Sequence, residues 1–502
     1  MTDRTDGYVT DIGYTPDYHQ ELNPLRTRLA FLNAGLRVPE VIDACELGFG
    51  QGLSINIHAA AASTHWYGTD FNTTHAGFAL QLAAASGADI GLFDDSFEDF
   101  AHRRDLPEFD FIALHGVWSW ISDRNRTLIV DFIRRRLKAE GVVYIGYNAL
   151  PGWAAFSSVR HLLVERANRD GAGGGGTAAR IDDAIRFADR LLATDPEYAR
   201  NNPQIVERFK VLKEEDRRYL AHEYFNRDWV PMHFATVARW LEPAQVSYAC
   251  SAAFADHVEA LNLTTGQRAL LGEIHDPGFR QSVRDFIINQ AFRHDYWVRG
   301  ARTLSETEWA EALRRERVIP VTRRPDLPFK VRAALTLNKA GPGEAVYAPI
   351  LEVLADRKAV SLGEIEQAVK HRGISPRQIL ETVMLIASCE QIVAAQDEVT
   401  AASARTRTDR FNAHLIEKAR TSGDIADLAS PVTGGGFRVE RVGQLFLSAL
   451  RQGKTRPDEW AQEAAEVMAA EGIAADLTGQ ARTFAEKTLP TLRALQIAPV
   501  AA

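Results

Sequence analysis

The sequence predicts an α/β protein in which a parallel, doubly wound sheet occupies about the first 150 residues and α-rich domains follow. Three observations carry this reading. Short apolar runs alternate with helix-periodic segments near the N-terminus, a glycine-rich turn joins the first run to the next helix, and the pattern becomes nearly all helical beyond residue 180.

Taken in order, RTRLAFLNAGL (26–36) has helical apolar spacing, VIDACELGF (41–49) is a strand-like run into the turn, and LSINIHAAAAS (53–63) is a helix, which together give one β-turn-α unit. HWYGTDF (65–71), ADIGLFDDSF (88–97), FDFIALHGVW (109–118) and GVVYIGYN (141–148) read as further strands, separated by HAGFALQLAAASG (75–87) and TLIVDFIRRRLKAEG (127–141). In such a sheet, ligands bind at the carboxyl ends of the strands. A break follows NALPGW (148–153), and GAGGGG (171–176) has linker composition. Between 180 and about 320 the segments RIDDAIRFADRLLA and PGFRQSVRDFIINQAFRHDYWV are the clearest amphipathic helices. A second boundary lies at RRPDLPFK (323–330) and KAGPGEA (339–345). Beyond it, Ser361 with Glu364 and Ser375 with Gln378 are capping boxes that open helices, and EQIVAAQDEVT (390–400) reads as a strand. Three helices and a strand in so short a span suggest a winged-helix-like module. Its acids (Glu352, Asp356, Glu364, Glu366, Glu381, Glu390) slightly outnumber its bases (Arg357, Lys358, Lys370, Arg372, Arg377), so it has no phosphate-binding face. The remainder is helical, with a turn at PVTGGG (431–436). The expected division is 1–160, 161–325, 326–400 and 401–502.

The 502 residues are 46% hydrophobic and 25% charged, which excludes a disordered chain. A net charge of -8 gives no global attraction for nucleic acid or anionic lipid. Cys45, Cys250 and Cys389 are far apart with no CxxC pair, which argues against disulfides and zinc and for a reducing cytoplasm. The N-terminus lacks an apolar leader core, and no run of 18 apolar residues exists to span a membrane.

The chemistry concentrates at the strand ends. In Glu46-Leu47-Gly48-Phe49-Gly50-Gln51-Gly52, the three glycines let the backbone turn sharply and approach a ligand, while Glu46 favours a cationic amine over a pyrophosphate. Asp70, beside Phe71, ends the second strand, where a carboxylate accepts from two ribose hydroxyls. Asp94, Asp95, Ser96 and Phe97 end the third, suited to an exocyclic amine and an adenine face. Acidic strand ends without a phosphate-binding lysine describe an adenosine with a cationic amino-acid tail, S-adenosylmethionine.

ELGFGQG, TDF (69–71), DDSF (94–97), LHGVWSWIS (114–122) and YNALPGW (147–153) resemble the class I methyltransferases that carry a methyltransferase regulatory domain, a group that includes rickettsial-type protein-lysine methyltransferases. The resemblance continues through YLAHEYF (219–225), DFIINQAFRHDYWVRG (285–300) and LASPVTGGG (428–436). It implies a Rossmann-like, seven-stranded methyltransferase domain followed by regulatory, winged-helix-like and helical C-terminal domains. Phe49 stands where the family more often has Cys, and Asn23-Pro24 where it usually has His-Pro.

The expected cofactor contacts are Glu46, Gly48, Gly50, Gly52, Asp70, Phe71, Asp95, Ser96, Phe97, His115 and Gly116. His115 ends the fourth strand, where methyl group and acceptor meet, and either takes a proton, orients the acceptor or contacts the cofactor. Trp118, Trp120, Tyr147 and Trp153 are placed either to box a cation or to pack the core, Asn148 to accept from an amine, and Tyr14 to close over the cofactor. His222-Glu223 lacks metal-site spacing and reads as a helix-packing pair. The acceptor expected is a protein lysine or another large amine-bearing substrate, with no nucleic acid, membrane or metal involved and the oligomeric state open. A small-molecule or glycan methyltransferase and a non-catalytic cofactor-binding module are the alternatives.

Overall fold

The computed structural model describes residues 7–169, 176–322 and 343–499. The glycine run at 171–175 and the boundary at 323–342 lie outside the described residues. Five strands follow the expected order: β1 (Asp43–Leu47), β2 (His65–Thr69), β3 (Ile90–Phe93), β4 (Phe109–Leu114) and β5 (Leu137–Asn148), all mutually parallel. Their near-continuous apolar runs reflect burial on both faces. Phe111, Ala113, Val142 and Tyr144 pack into one apolar cluster, whereas Ile112, Leu114, Val143, Ile145 and Tyr147 pack into another across the sheet.

The sheet is completed from beyond residue 160. β6 (Ser247–Ser251) and β7 (Phe292–Val298) give the order β3-β2-β1-β4-β5-β7-β6, with β7 antiparallel to both neighbours. The expected boundary at 160 therefore cuts through the sheet. PGFRQSVRDFIINQAFRHDYWV is likewise not one helix: its helix, Pro277–Ile288, stops at Asn289 in the left-handed conformation (φ 53°), and HDYWV enters β7.

Helices on the sheet begin where short polar side chains satisfy free N–H groups. Asn23 caps α1 (Pro24–Asn33) by accepting from Leu25 N at 3.0 Å. α2 (Leu53–Ala61) follows the glycine turn, Asn72 caps α3 (Thr73–Ser86), Ser96 caps α4 (Phe97–His102), and Ser122 caps α5 (Asp123–Arg136). Every residue of α2 is buried, because the C-terminal helix Glu398–Lys418 packs on the side away from the sheet. The carbonyls that α2 leaves unpaired at its end, Ala61 and Ala62, accept from Gln396 (2.8 Å) and Arg407 (2.7 Å).

Further along, β8 (Arg317–Pro320), β9 (Val360–Ser361) and β10 (Ile392–Ala395) form an antiparallel sheet in the order β10-β8-β9, so this unit draws a strand from before residue 326. Both expected capping boxes form: Glu364 N donates to Ser361 Oγ at 3.1 Å and Gln378 N to Ser375 Oγ at 3.3 Å. The strand expected over 390–400 ends at Ala395, and Asp397 caps the long helix that follows. PVTGGG lies in the hairpin of β11 (Asp427–Ser430) and β12 (Gly435–Arg438). The Tyr18 ring covers Gly435 and Gly436, leaving no room for a Cβ, and Asn23 Nδ2 donates to Thr433 O at 3.0 Å. No helix among the described residues is long and apolar enough to cross a membrane.

A fragment ending at residue 160 lacks two of the seven strands and is expected to show no cooperative thermal transition by circular dichroism, whereas the full chain does. Arg293→Met in the full chain is expected to cost about 3–5 kcal/mol in urea denaturation, because it leaves Asp285 and Asp295 buried without their cation. An unchanged midpoint would contradict this.

Candidate active site

At the end of β1 the chain turns through Gly48 (φ 74°), Gly50 (φ 57°) and Gly52 (φ 70°) into α2. A Cβ at Gly48 would lie 2.6 Å from Val117 Cγ2, so this position needs glycine for space as well as for its left-handed conformation. Gly48 N donates to Thr69 O (2.8 Å) and Gly50 N to Asp70 Oδ2 (2.9 Å). The other Asp70 oxygen accepts from Asn72 N at 3.0 Å and faces His75 Nδ1 at 3.5 Å, so Asp70 fastens the first two strand-end loops together. Thr69 Oγ1 donates to Asp95 O at 2.5 Å, tying the second loop to the third. Arg103, lying 3.8 Å over the Phe93 ring, donates to Asp95 Oδ2 at 2.9 Å.

These loops surround a cavity of about 660 Å³. Glu46, Gly48, Gly50, Gly52, Asp70, Phe71, Asp95, Ser96, Phe97, His115 and Gly116 all line it, as does Tyr14. Trp118, Tyr147 and Asn148 do not. Tyr147 alternates to the sheet face opposite Tyr144 and donates to Asp295 at 2.8 Å. Asn148 N donates to Ser119 Oγ at 2.9 Å, and Trp118 is fully buried with its carbonyl accepting from Arg126 at 3.1 Å. Trp153 packs edge-on to Trp229 beneath Arg208. Of the four aromatic side chains expected to box a cation, Trp120 reaches the cavity.

The roof comes from two distant segments. Tyr8, Tyr14, Asp17 and His19 enter from the N-terminal stretch, and His222 and Glu223 from the helix Arg217–Tyr224. This corrects the helix-packing reading of His222-Glu223. The signal was present in the sequence as a His-Glu pair beside buried Leu220, Ala221 and Tyr224, but only the fold brings that helix over the sheet. His222 Nε2 lies 2.9 Å from Ile12 O, its ring packs against Tyr8 and Tyr14, and Trp120 Nε1 donates to Glu223 O at 3.0 Å.

The lining is rich in carboxyl groups. Glu46, Asp70, Asp95, Glu98, Asp99, Asp17 and Glu223 contribute to it, and among the described residues its sole arginine or lysine is Arg124, itself paired to Glu98 at 2.6 Å. Glu46 is 3% exposed, and its Oε2 has no hydrogen-bond partner. Burial and then nearby Asp70 push its carboxyl up to about 8. Burial likewise raises Glu223 to about 7, and its Oε1 lies 3.4 Å from the Tyr14 hydroxyl. On the floor, the His115 ring stacks on His19 with centroids 3.7 Å apart, and its Nδ1 is 2.8 Å from the Tyr144 hydroxyl, which is 2.9 Å from His294 Nδ1. A hydroxyl has one proton, so Tyr144 donates to one imidazole and accepts from the other. Burial, reinforced by His19 and His294, holds the His115 pKa well below its usual value, so the ring is neutral.

Among known proteins, the predicted methyltransferase regulatory domain matches residues 216–299, a span that includes Glu223, β6 and β7. The protein sll1526 of Synechocystis sp. is 37% identical over 472 residues, covering 93% of this chain and 91% of its own. The protein RP789 of Rickettsia prowazekii is 30% identical over 141 residues, covering 26% of this chain and 24% of its own. PKMT2 from Rickettsia typhi, solved in complex with AdoHcy, shares the fold with a TM-score of 0.66 at 16% identity, over 96% of this chain and 98% of its own. Likeness of this extent, over a strand order completed by the regulatory stretch itself, places the chain in the family of class I S-adenosylmethionine-dependent methyltransferases that carry a methyltransferase regulatory domain.

Proposed function

We propose that the protein methylates an amine, with the side chain of a protein lysine as the acceptor class its cavity suits best. The observation that carries this is the surplus of carboxyl groups over cations in the cavity lining, where Glu46 keeps a buried oxygen without a partner. An unpaired buried carboxylate is costly unless a cation arrives to meet it. S-adenosylmethionine offers an ammonium for Glu46, ribose hydroxyls for Asp70 and an adenine for Ser96 and Phe97. When bound, it supplies an electrophilic methyl group.

The chain's own contribution is to hold and shape. Asp70 and the glycine turn fix the loops, Tyr14 and His222 cover the cavity, and neutral His115 presents an uncharged ring at the β4 end. In-line transfer to an unprotonated nitrogen needs this positioning and water exclusion more than a strong base. An anionic acceptor would be repelled by the lining, whereas a lysine side chain is attracted to it. PKMT2, of the same fold, was solved in complex with AdoHcy, which supports reading this fold as one that takes a methyl donor. Most residues beyond 224 stay outside the cavity lining and are available to recognise a large acceptor.

Asp70→Asn is expected to weaken S-adenosylmethionine binding by about 10- to 100-fold in calorimetry, since the lost charge held both the turn and the ligand. A pH series tests Glu46. Its carboxyl is protonated below about 8 in the free protein, and an ammonium partner favours the ionised form, so binding releases a proton. Affinity is therefore expected to rise with pH between 6 and about 8, and Glu46→Gln to flatten that rise; an equal slope in both would remove Glu46 from ammonium binding. Incubation with methyl-labelled S-adenosylmethionine and a cell lysate, followed by acid hydrolysis, is expected to yield labelled N-methyl-lysine. Label confined to small molecules or glycans would refute the protein acceptor.

A further inference from the structure

The cavity contains more unpaired carboxylate than a methyl donor uses. Asp70 accepts from Gly50 N and Asn72 N, Asp95 from Arg103, Glu98 from Arg124, and Asp99 from Ser96 Oγ. Asp17 accepts from Thr15 Oγ1 at 3.0 Å. Two buried carboxyl groups in the lining meet neither a cation nor a hydrogen bond shorter than 3.4 Å: Glu46 on the floor and Glu223 on the roof. Glu223 forms no ion pair among the described residues, and its side chain meets the Tyr14 hydroxyl at 3.4 Å. S-adenosylmethionine has one ammonium, which the floor carboxylate suits, and a sulfonium whose positive charge passes to the acceptor on methyl transfer, so the ammonium is the one cation that stays with the cofactor. The second carboxylate belongs to a different segment of the chain and calls for a second cation.

We infer that Glu223 holds the acceptor nitrogen, which makes a primary alkylammonium, as at the end of a lysine side chain, the substrate class; the inference rests on the amine-acceptor reading above. The Tyr14 hydroxyl donates to the Glu223 carboxylate at 3.4 Å, Trp120 Nε1 donates to the Glu223 main-chain carbonyl at 3.0 Å, and all three residues line the cavity. A buried carboxylate in a wall that also carries aromatic side chains suits an alkylammonium ion. The titratable groups around Glu223 are Tyr14, Tyr8, Tyr219, Tyr224 and His222, with Asp70 below them, and none is a lysine or arginine that would neutralise it. Burial lifts the Glu223 carboxyl to about 7, so an arriving cation readily ionises it near neutral pH.

The placement also bears on the reaction. The acceptor, having lost one proton to water, forms the N–C bond with its lone pair; the C–S bond breaks and its electron pair stays on sulfur. Positive charge thereby passes to the nitrogen, beside a carboxylate already in position, which is where such a group stabilises the transition state most. The proton the new secondary ammonium sheds passes to Glu223 and then to water. A hydroxyl or thiol acceptor would leave Glu223 unpaired and buried throughout.

The test uses the full chain saturated with AdoHcy, titrated calorimetrically with n-butylammonium as a lysine-tip mimic and with n-butanol as its neutral counterpart. The wild type is expected to bind n-butylammonium in preference to n-butanol. Glu223→Gln is expected to lose at least about 30-fold in n-butylammonium affinity while AdoHcy affinity stays within about twofold, which also shows the variant is folded. Glu223→Asp is expected to recover part of the loss. Equal n-butylammonium affinity in wild type and Glu223→Gln overturns the role of Glu223 alone. Failure of the wild type to bind n-butylammonium overturns the amine-acceptor reading beneath it.

Discussion

Arg293 lies in the middle of the molecule with 3% of its side chain exposed, and its guanidinium is shared between Asp285 on the helix Pro277–Ile288 and Asp295 on the same strand. Asp295 also accepts from Tyr147 of β5, and Gln281 accepts from the remaining Arg293 nitrogen at 3.0 Å. Removing these charges from water costs several kcal/mol per ion, and the cost is offset only if every partner is in place. β7 thus has one acceptable seat. In any other register Arg293 would lose Asp285 and Gln281, and Asp295 would lose the Tyr147 hydroxyl, so the network fixes β7 between β5 and β6 and closes the sheet. Tyr147, placed by the sequence either to box a cation or to pack the core, serves this closure.

A sheet held in this way lets four strand ends present their loops in fixed relation. The roof is then set by contacts that run across the chain. Val9 N donates to Asn226 Oδ1 (2.9 Å), His222 meets Ile12 O, Arg160 donates to Tyr224 O (2.8 Å), and Gln51 Nε2 donates to Tyr14 O. The N-terminal stretch is therefore clamped between the glycine turn below and the helix carrying Glu223 above. Because that helix and the last two strands both fall within the match to the regulatory domain, this part of the chain supplies part of the cavity wall and two strands of the sheet beneath it.

The C-terminal third acts on the same site from behind. α2 is buried on all sides, and its polar residues find partners there: Ser54 Oγ accepts from His19 N at 2.9 Å, Asn56 donates to Gly52 O and Ala79 O, and His58 Nδ1 lies 3.4 Å from Gly434 O. The helix Glu398–Lys418 covers its outer surface, Gln396 and Arg407 satisfy its last carbonyls, and the hairpin around Gly435 packs on Tyr18 just ahead of α1. The helix that follows the glycine turn is thereby held at its far end by residues 335 and 345 positions away in sequence. This explains why LASPVTGGG and Asn23 matter together: Asn23 caps α1 with one side-chain atom and reaches Thr433 with the other.

Much of this was legible in the residues alone. Five strands, the glycine turn, two capping boxes and the residues lining the cavity floor follow from local rules: apolar runs buried on both faces, positive-φ glycines, and acidic side chains at the ends of parallel strands. What sequence could not supply was partnership across distance. β7 reads as the tail of an amphipathic helix until β5 and β6 pair with it, Tyr147 and Trp118 fit a cation box as well as a core until strand alternation and core packing bury them, and Glu223 reads as a packing residue until its helix is laid over the sheet. Local chemistry thus determined which residues form the floor of the site. The fold decided which charged and aromatic groups stand opposite that floor, because burial and charge pairing are properties of surroundings that a single stretch of chain does not contain.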